Sequence, residues 1–494
     1  MHGVLDYLER AAEHFPDKTA IACRDEAYTF SALRDGAKAL AASIRTLHIE
    51  NEAVGVIVRR SAETAMLFLA VAYSGNFYVP MDPAMPEKKL STIADDSGMR
   101  LVLGQERDRA LAERLGLGLH YLTADDRGEE RMEAPETEAD TPLYLVYTSG
   151  STGRPKGVLK SHGAVMSFIE AFTDTFALGA EEIIGNQTPF FFDASAKDIY
   201  LMLRTGATME VIPSEMFMLP TALVEYLNEK RVSYICWVPT ALSMVIQMNA
   251  FRRILPVSLK WIFFVGEVFP VKYLRKWKEA LPQPEYVNLY GSSELAGICC
   301  WYRVGESIPE DALPMGRPLS NCRIFLRDGE TTVTQPDRLG EVCIVSDALA
   351  LGYFRDEERT EKSFVTEALP DGTRARVFHS GDLARYDGEG NLVFSCRSDF
   401  QIKHLGKRIE LGEIESVCDS LPEVERCCCL YDKKSQQIRL FCQLKAGCGL
   451  DGKAIRERLR QELSDYMVPQ RVTVLDAMPY NANGKINRTL LAEM

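Results

Sequence analysis

The residues best suited to chemistry lie in one short segment, Tyr147-Thr-Ser-Gly-Ser-Thr-Gly-Arg-Pro-Lys-Gly-Val158, directly after the apolar run LYLV. Glycines allow backbone N–H groups to approach an anion, hydroxyl groups donate hydrogen bonds and a lysine supplies positive charge. The segment therefore predicts a loop that binds phosphate. The residues that would form it are Thr148, Ser149, Gly150, Ser151, Thr152 and Lys156.

This segment fits neither of the common nucleotide-binding fingerprints. No G-x-x-x-x-G-K-[ST] pattern occurs here or at Asn483-Gly484-Lys485, and the segment contains no G-x-G-x-x-G pattern. On composition alone, an ordinary Ser/Gly linker explains the same residues.

Five motifs in a fixed order decide between these readings. The loop is followed by NLYGSSE at Asn288–Glu294, FHSGDL at Phe378–Leu383, the segment Arg397–Glu415 and NGKIN at Asn483–Asn487. Together they resemble the adenylate-forming superfamily of acyl-CoA synthetases, luciferases and amino-acid adenylation domains of nonribosomal peptide synthetases. The resemblance covers essentially the whole chain and removes the linker interpretation.

The resemblance implies binding of ATP and Mg²⁺. Tyr290 would stack on adenine, Asp382 would accept hydrogen bonds from the ribose hydroxyls beside Arg397, and Glu294 would hold the metal. Taken singly, Asp382 could be a turn residue and Tyr290 a core residue. The implied nucleotide contacts are Thr148, Ser149, Gly150, Ser151, Thr152, Lys156, Gly266, Glu267, Asn288, Leu289, Tyr290, Gly291, Ser292, Ser293, Asp382, Phe394, Arg397 and Lys485.

Two lysines take the catalytic roles that the resemblance implies. Lys485 would stabilise charge on the phosphoryl oxygens while a carboxylate attacks the α-phosphorus of ATP. The C-terminal domain would then rotate about the hinge residue Asp399, and Lys403 would arrive for transfer to a pantetheine thiol. The family's R-G after this lysine is replaced here by His404-Leu405-Gly406, so this part of the pattern is altered.

The motif Phe192-Asp-Ala-Ser195 resembles that of members which activate amino acids. Its surroundings, FDASAKDIY and VGEVFP, are most similar to D-alanine–carrier-protein ligases and the peptide-synthetase domains related to them. There the aspartate pairs with the substrate's α-ammonium, because a buried carboxylate needs a cationic partner. Asp193 is accordingly the candidate ammonium ligand, although it could instead cap a helix.

The resemblance also supplies a substrate pocket. Lys197 is its unusual member: it would need an anion, such as an acidic substrate side chain, unless it pairs with Asp193 one helical turn back or extends outward. Val265 stands where D-alanine ligases usually have cysteine. The predicted pocket residues are Asp193, Ala194, Lys197, Cys236, Phe263, Val265, Leu289, Gly297 and Ile298.

Alternating strands and helices predict an α/β fold with mostly parallel sheets. Between Gly316 and Val393 short strands separated by turns predict a smaller β-rich section. We place the boundary between a large N-terminal domain, 1–398, and a mobile α+β C-terminal domain, 399–494. With 494 residues the chain exceeds the size at which single cores stop growing, about 250–300 residues.

Composition excludes several classes of function. Asp and Glu number 70 against 57 Lys and Arg, a net charge of −13 that disfavours nucleic acid and anionic membranes as partners. The N-terminus does not resemble a signal peptide, and no apolar run approaches the roughly 18 residues of a membrane helix. We therefore expect a cytoplasmic protein without membrane insertion, whose 13 cysteines are reduced and mostly buried.

These observations favour an ATP-dependent ligase that loads an amino acid onto a phosphopantetheinylated carrier protein supplied in trans, or one domain of a larger synthetase. An acyl- or aryl-CoA ligase and a non-catalytic nucleotide-binding homologue are the alternatives. Asp193 argues against the first, and the presence of Lys156, Glu294, Asp382 and Lys485 argues against the second.

Overall fold

The computed structural model describes residues 3–115, 120–128, 132–148, 155–310, 313–369, 371–397, 401–432, 435–445, 448–479 and 486–494. The chain forms two compact units. The first unit comprises Met1–Pro83, Ser97–Val146 and Gly157–Ser398, and the second comprises Ala84–Asp96, Tyr147–Lys156 and Asp399–Met494.

The α-helices are α1 Leu5–His14, α2 Phe30–Arg45, α3 Ala62–Tyr73, α4 Glu87–Ser97, α5 Arg109–Arg114, α6 His162–Phe176, α7 Ala194–Thr205, α8 Pro220–Glu229, α9 Pro239–Gln247, α10 Val271–Ala280, α11 Glu357–Ser363, α12 Leu411–Asp419, α13 Gly452–Glu462 and α14 Arg488–Glu493. Their ends follow local rules. Thr29 and Ser161 cap α2 and α6 by accepting hydrogen bonds from Ala32 N and Ala164 N, and Gly206 ends α7 in the left-handed conformation.

The strands are β1 Thr19–Cys23, β2 Glu26–Thr29, β3 Ala53–Ile57, β4 Phe77–Met81, β5 Leu101–Leu103, β6 His120–Leu122, β7 Pro142–Thr148, β8 Lys156–Ser161, β9 Ile183–Asn186, β10 Thr208–Val211, β11 Tyr234–Trp237, β12 Trp261–Val265, β13 Glu285–Gly291, β14 Ile298–Arg303, β15 Arg317–Pro318, β16 Cys322–Asp328, β17 Thr331–Val333, β18 Gly340–Ser346, β19 Gly352–Tyr353, β20 Phe364–Ala368, β21 Arg374–Tyr386, β22 Leu392–Arg397, β23 Gln401–His404, β24 Lys407–Glu410, β25 Val424–Asp432, β26 Gln437–Leu444 and β27 Arg471–Leu475.

Two large sheets are parallel at their centres. One has the order β19-β8-β7-β4-β3-β5-β6, and β3 pairs in parallel with both β4 and β5. The other has the order β15-β14-β13-β12-β11-β9-β10-β1-β2, with five parallel pairs from β1 to β13 and antiparallel strands at its two ends. Parallel strands need crossover connections, and helices supply them, which explains the alternation in the sequence.

The β-rich section forms an antiparallel sheet of six strands in the order β17-β16-β18-β21-β20, with β22 paired to β21. In the second unit, β23 and β24 form a hairpin, and β25, β26 and β27 form a three-stranded sheet. The predicted fold class is confirmed: a large part with mostly parallel sheets, a β-rich section and a smaller α+β part.

The cores consist of apolar side chains, and their large aromatic residues have satisfied polar groups. Trp237 and Trp277 are buried, and each indole N–H donates to a backbone carbonyl, of Gly185 and Leu242 respectively, at 2.9 Å. All 13 cysteines are free and 11 of them are buried, as expected. Over the ranges that the structure describes, no helix is both long enough and apolar enough to cross a membrane.

We predict that Gly316→Ala lowers the free energy of unfolding by about 3 kcal/mol. The φ angle of Gly316 is 90°, and a Cβ atom there would lie 2.0 Å from the backbone oxygen of Trp301, which cannot move aside cheaply. Gly372→Ala is the matched control because its φ of 83° is similar and its Cβ would meet nothing within 4 Å. Urea unfolding should show that the control lowers the free energy of unfolding by about 1 kcal/mol. An equal decrease for both variants would show that the contact with the Trp301 oxygen costs nothing.

Candidate active site

The carboxylate of Asp193 is held by two neighbours from the sheet of the first unit. Asp193 precedes α7, yet its side chain makes no capping hydrogen bond, so the helix-cap alternative is wrong. Instead the hydroxyl of Tyr144 on β7 donates to Oδ1 at 2.8 Å, and the ammonium of Lys160 on β8 donates to both carboxylate oxygens at 3.2 Å. The predicted ammonium ligand therefore has a cation of the chain beside it.

Burial acts on both members of this pair. It raises the pKa of Asp193, while Lys160 and Tyr144 oppose that shift. It also lowers the pKa of Lys160, which Asp193 and Glu294 partly offset. Lys160 donates a further hydrogen bond to the carbonyl of Leu295. Each charge of the pair is buried only because the other is present.

Lys197 has an anionic partner that the sequence analysis did not anticipate. Its ammonium pairs with the carboxylate of the next residue, Asp198, and donates to the hydroxyl of Tyr234 at 2.9 Å. Asn186 in turn donates to Asp198 at 2.9 Å. Burial lowers the pKa of Lys197, but the carboxylate of Asp198 raises it well above the ordinary value. Two alternatives for Lys197 are therefore wrong. It does not pair with Asp193, because its partner is Asp198, and it does not extend outward, because its side chain is buried.

The other predicted pocket residues differ in burial and in the space around them. Burial raises the pKa of the Cys236 thiol to about 11, and the ring of Phe263 lies 5.0 Å from that of Tyr234. A Cβ atom on Gly297 would lie 2.4 Å from the ring of Phe168, so this position has no room for a larger residue. Leu289 and Ile298 are buried, Val265 is half-buried and Ala194 is exposed.

Three residues predicted for the nucleoside meet in the first unit. The hydroxyl of Tyr290 donates to Asp382, and the guanidinium of Arg397 donates to the other carboxylate oxygen at 2.6 Å. Arg397 also donates to the carbonyl of Ser380 at 3.1 Å. Burial and the charge of Asp382 raise the pKa of Tyr290 well above its usual value. The group holds the carboxylate of Asp382 in place within strand β21.

Glu294 and Ser292 offer oxygen atoms suited to a phosphorylated ligand. Glu294 is fully buried, and the hydroxyl of Tyr353 donates to it at 2.8 Å. The hydroxyl oxygen of Ser292 is buried and has no hydrogen-bond partner among the described residues. An unsatisfied buried hydroxyl is costly, so a ligand atom that bonds to it would be stabilising.

Several predicted nucleotide contacts have other partners. The amide of Asn288 donates to the carbonyl of Pro314 at 2.7 Å. The carboxylate of Glu267 accepts hydrogen bonds from the N–H and the hydroxyl of Thr240, at 3.0 and 2.6 Å. Gly266 has a φ of 94°, and a Cβ atom on Gly291 would lie 2.3 Å from the carbonyl of Gly297. Ser293 and Phe394 are half-buried.

The second unit holds the described ends of the predicted phosphate loop. The hydroxyl oxygen of Thr148 is buried without a hydrogen-bond partner among the described residues. The ammonium of Lys156 lies 3.8 Å from the carboxylate of Glu410. Ser149, Gly150, Ser151, Thr152, Asp399 and Lys485 lie outside the described residues.

Lys403 lies on the hairpin of β23 and β24, opposite Arg408. The two residues at the tip, Leu405 and Gly406, have φ angles of 52° and 74°. Left-handed conformations at both positions are those of a type I′ turn, which matches the twist of a hairpin. Gly406 thus meets a backbone requirement, whatever its role in catalysis.

His379, in the segment FHSGDL, lies between two glutamates. Its Nδ1 is 3.4 Å from Glu341 and 3.7 Å from the sulfur of Cys343, and its Nε2 is 3.5 Å from Glu367. Glu341 also accepts a hydrogen bond from the N–H of Gly381, the residue before Asp382. Hydrogen bonds with Cys343 and Glu341 raise the pKa of His379 to about 10.

The neighbours that matter most here were missed from the sequence: Tyr144, Lys160, Asp198, Tyr234 and Tyr353. A signal existed for Lys160. It stands two residues after Val158 in a strand, so both side chains point to the same buried face. A lysine on that face requires an acid nearby.

Known proteins resemble the chain over nearly its whole length. Residues 8–354 match the family described as AMP-binding enzyme, and residues 413–485 match the AMP-binding enzyme C-terminal domain. Zwittermicin A synthase ZmaJ of Bacillus cereus is 30% identical over 505 residues, which cover 98% of this chain and 94% of that protein. D-alanine--D-alanyl carrier protein ligase of Bacillus anthracis is 30% identical over 510 residues, 99% of each. The crystal structure of IdnL1 has a TM-score of 0.82 at 27% identity, covering 97% of this chain and 99% of that one.

We predict that His379→Gln destabilises the protein in a pH-dependent manner. Because the folded-state pKa is raised, to about 10, the stabilisation is fully present below the unfolded pKa of about 6.5 and is lost as pH rises toward 10. The difference in unfolding free energy between wild type and variant should therefore be largest near pH 6, on the order of 3 kcal/mol. Urea unfolding between pH 6 and 10 measures it. Met248→Gln, an exposed control without a titrating group, should show a constant difference; a constant difference for His379→Gln would refute the raised pKa.

Proposed function

The chain belongs to the AMP-binding enzyme family and is a ligase, and we propose that it activates an amino acid with ATP and transfers it to the pantetheine thiol of a carrier protein. Similarity to a D-alanine--D-alanyl carrier protein ligase supports this substrate class.

The single observation that carries the amino-acid assignment is the carboxylate of Asp193. It lies before α7, retains 12% of its side-chain exposure and is buried otherwise. An amino acid brings an ammonium that suits this anion, whereas a fatty or aryl acid would leave the exposed part of the carboxylate facing an apolar group. We therefore assign Asp193 to the substrate's α-ammonium.

The residues present fit a nucleotide. Asp382, fixed by Tyr290 and Arg397, would accept hydrogen bonds from the ribose, and the hydroxyl of Ser292, which has no partner among the described residues, would donate to a phosphate oxygen. Mg²⁺ would neutralise phosphate charge, and the buried carboxylate of Glu294 is the oxygen ligand offered to it.

In the first reaction an oxygen of the substrate carboxylate forms a bond to the α-phosphorus of ATP. The bond from that phosphorus to the bridging oxygen breaks, and pyrophosphate leaves with the electron pair. Lys485 is the residue proposed to stabilise the charge that accumulates on the phosphoryl oxygens. In the second reaction the thiol sulfur attacks the acyl carbonyl, loses its proton and displaces AMP. Neither reaction needs a covalent bond to the enzyme.

The partner of Lys197 bears on the substrate side chain. An unbalanced lysine in an apolar pocket would have required an acidic substrate. Because Asp198 already balances the charge, and Cys236 and Phe263 lie nearby, we propose a neutral side chain.

We predict ATP–pyrophosphate exchange that depends on one neutral amino acid, screened across D- and L-amino acids. Lys485→Ala should lower this exchange about 100-fold or more, because it removes charge stabilisation from the transition state. Lys445→Ala, an exposed lysine bonded to the carbonyl of Pro422, is the matched control and should keep the activity.

The outcomes of this screen separate the alternatives. Exchange only with Glu or Asp would contradict the neutral side chain, while exchange only with acyl or aryl acids would refute the amino-acid assignment. Exchange with none of these would favour the non-catalytic homologue.

A second prediction separates the two half-reactions at Lys403. Lys403→Ala should leave exchange within about threefold of wild type but lower thioester formation with free pantetheine about tenfold or more, since the lysine is proposed to act only in transfer. Radiolabelled amino acid in the thioester product gives the readout, again beside Lys445→Ala. An equal loss in both assays would contradict the separation, and rapid product formation with CoA would favour a CoA ligase.

A further inference from the structure

The ammonium of Lys160 is enclosed and fully bonded. Its side chain has no exposed surface, and three oxygen atoms accept its hydrogen bonds: both carboxylate oxygens of Asp193 and the carbonyl of Leu295. The ring of Tyr144 lies 5.7 Å away. Because no solvent lies next to the Lys160 ammonium, an arriving ligand cannot push it out into water.

We propose that Lys160 is the permanent counter-ion of Asp193: it keeps the carboxylate ionised in the empty pocket, so that the substrate's ammonium shares Asp193 with Lys160 instead of displacing it. This inference rests on the proposed function, because it presumes an amino-acid substrate. It assigns to Lys160 a positioning role, since the lysine acts through Asp193 and not on the reacting atoms.

The hydrogen bonds at Asp193 leave room for such sharing. A carboxylate accepts about four hydrogen bonds, two at each oxygen. Among the described residues, Oδ1 accepts from Tyr144 and Lys160, while Oδ2 accepts from Lys160 alone. One acceptor position on Oδ2 remains for an ammonium donor. The exposed surface is consistent with this free position, because 12% of the Asp193 side chain is exposed and none of the Lys160 side chain is.

The surroundings explain why a counter-ion is needed before substrate binds. Asp193 is faced by the ammonium of Lys160 from β8, by the hydroxyl of Tyr144 from β7, by Tyr78 from β4 and by the carboxylate of Glu294 after β13. Burial raises the pKa of Asp193, and Glu294 raises it further; Lys160 is the one cation among these groups that opposes both. Without Lys160, the empty pocket would favour a protonated carboxyl.

A measurable difference follows for the binding of substrate. With Lys160 present, the carboxyl group of Asp193 is already ionised when the substrate's ammonium arrives, so binding releases no proton. Without Lys160, the substrate must first displace a proton from Asp193. The apparent KM then rises about tenfold for each unit that the pH falls below the carboxyl's pKa.

The test uses the whole 494-residue chain and the amino acid that supports the fastest exchange in the screen above. For Lys160→Met, we expect the KM for that amino acid to be at least tenfold higher at pH 6 than at pH 8. For the wild type we expect the two values to agree within twofold. The pH dependence of kcat should be the same in both enzymes, because Lys160 does not contact the reacting atoms.

Two further variants test whether the pH dependence of KM is due to the charge of Lys160. Lys260→Met, which removes a half-exposed lysine 3.5 Å from Glu182, should behave as wild type. Lys160→Gln retains hydrogen-bond donors without the charge and should behave as Lys160→Met; it also serves if the methionine variant does not fold.

Three outcomes decide the matter. A pH-independent KM in folded Lys160→Met or Lys160→Gln overturns the proposal, and so does a wild-type KM that rises tenfold between pH 8 and pH 6. Absence of exchange by the wild type with every amino acid instead refutes the proposed function itself. A purely structural lysine would alter stability, or KM equally at all pH values, without a changed pH profile.

Discussion

Charge that is taken out of water must be balanced locally, and the first unit is arranged around this constraint. Lys160 with Asp193, Lys197 with Asp198, and Arg397 with Asp382 each place opposite charges together where little solvent reaches. Such pairs gain little net stability, but losing one partner is costly. These pairs fix three carboxylates at defined positions. Neutral hydroxyls such as that of Tyr144 then orient the carboxylates further by donating hydrogen bonds to them.

Much of this arrangement could be predicted from the sequence. The fold class followed from strands that alternate with helices, because parallel strands need crossovers. The meeting of Tyr290 and Asp382, 92 residues apart, followed from motifs in a family's order rather than from local pattern. In both cases the information lies in residue order and spacing, which sequence reports directly.

The partners of the buried charges could not be predicted in the same way. Adjacent residues on a helix point in different directions, so helical spacing does not predict Asp198 as the partner of Lys197, yet a long lysine side chain can bend back to its neighbour. Lys160 and Asp193 lie on different elements, 33 residues apart, and only the folded sheet brings them together. The burial of the Ser292 and Thr148 hydroxyls, which have no partner in the described part of the chain, could not be predicted either, since burial depends on tertiary structure.

The pairing of Lys160 with Asp193 also constrains how this site can evolve. Replacing either residue alone leaves the other charge buried without a counter-ion, a loss of about 3–5 kcal/mol that approaches the whole stability margin of many domains. Replacing both together with apolar residues can be nearly neutral. A lineage that changes one position alone would therefore carry this cost until the second position changes, which favours paired over single replacement.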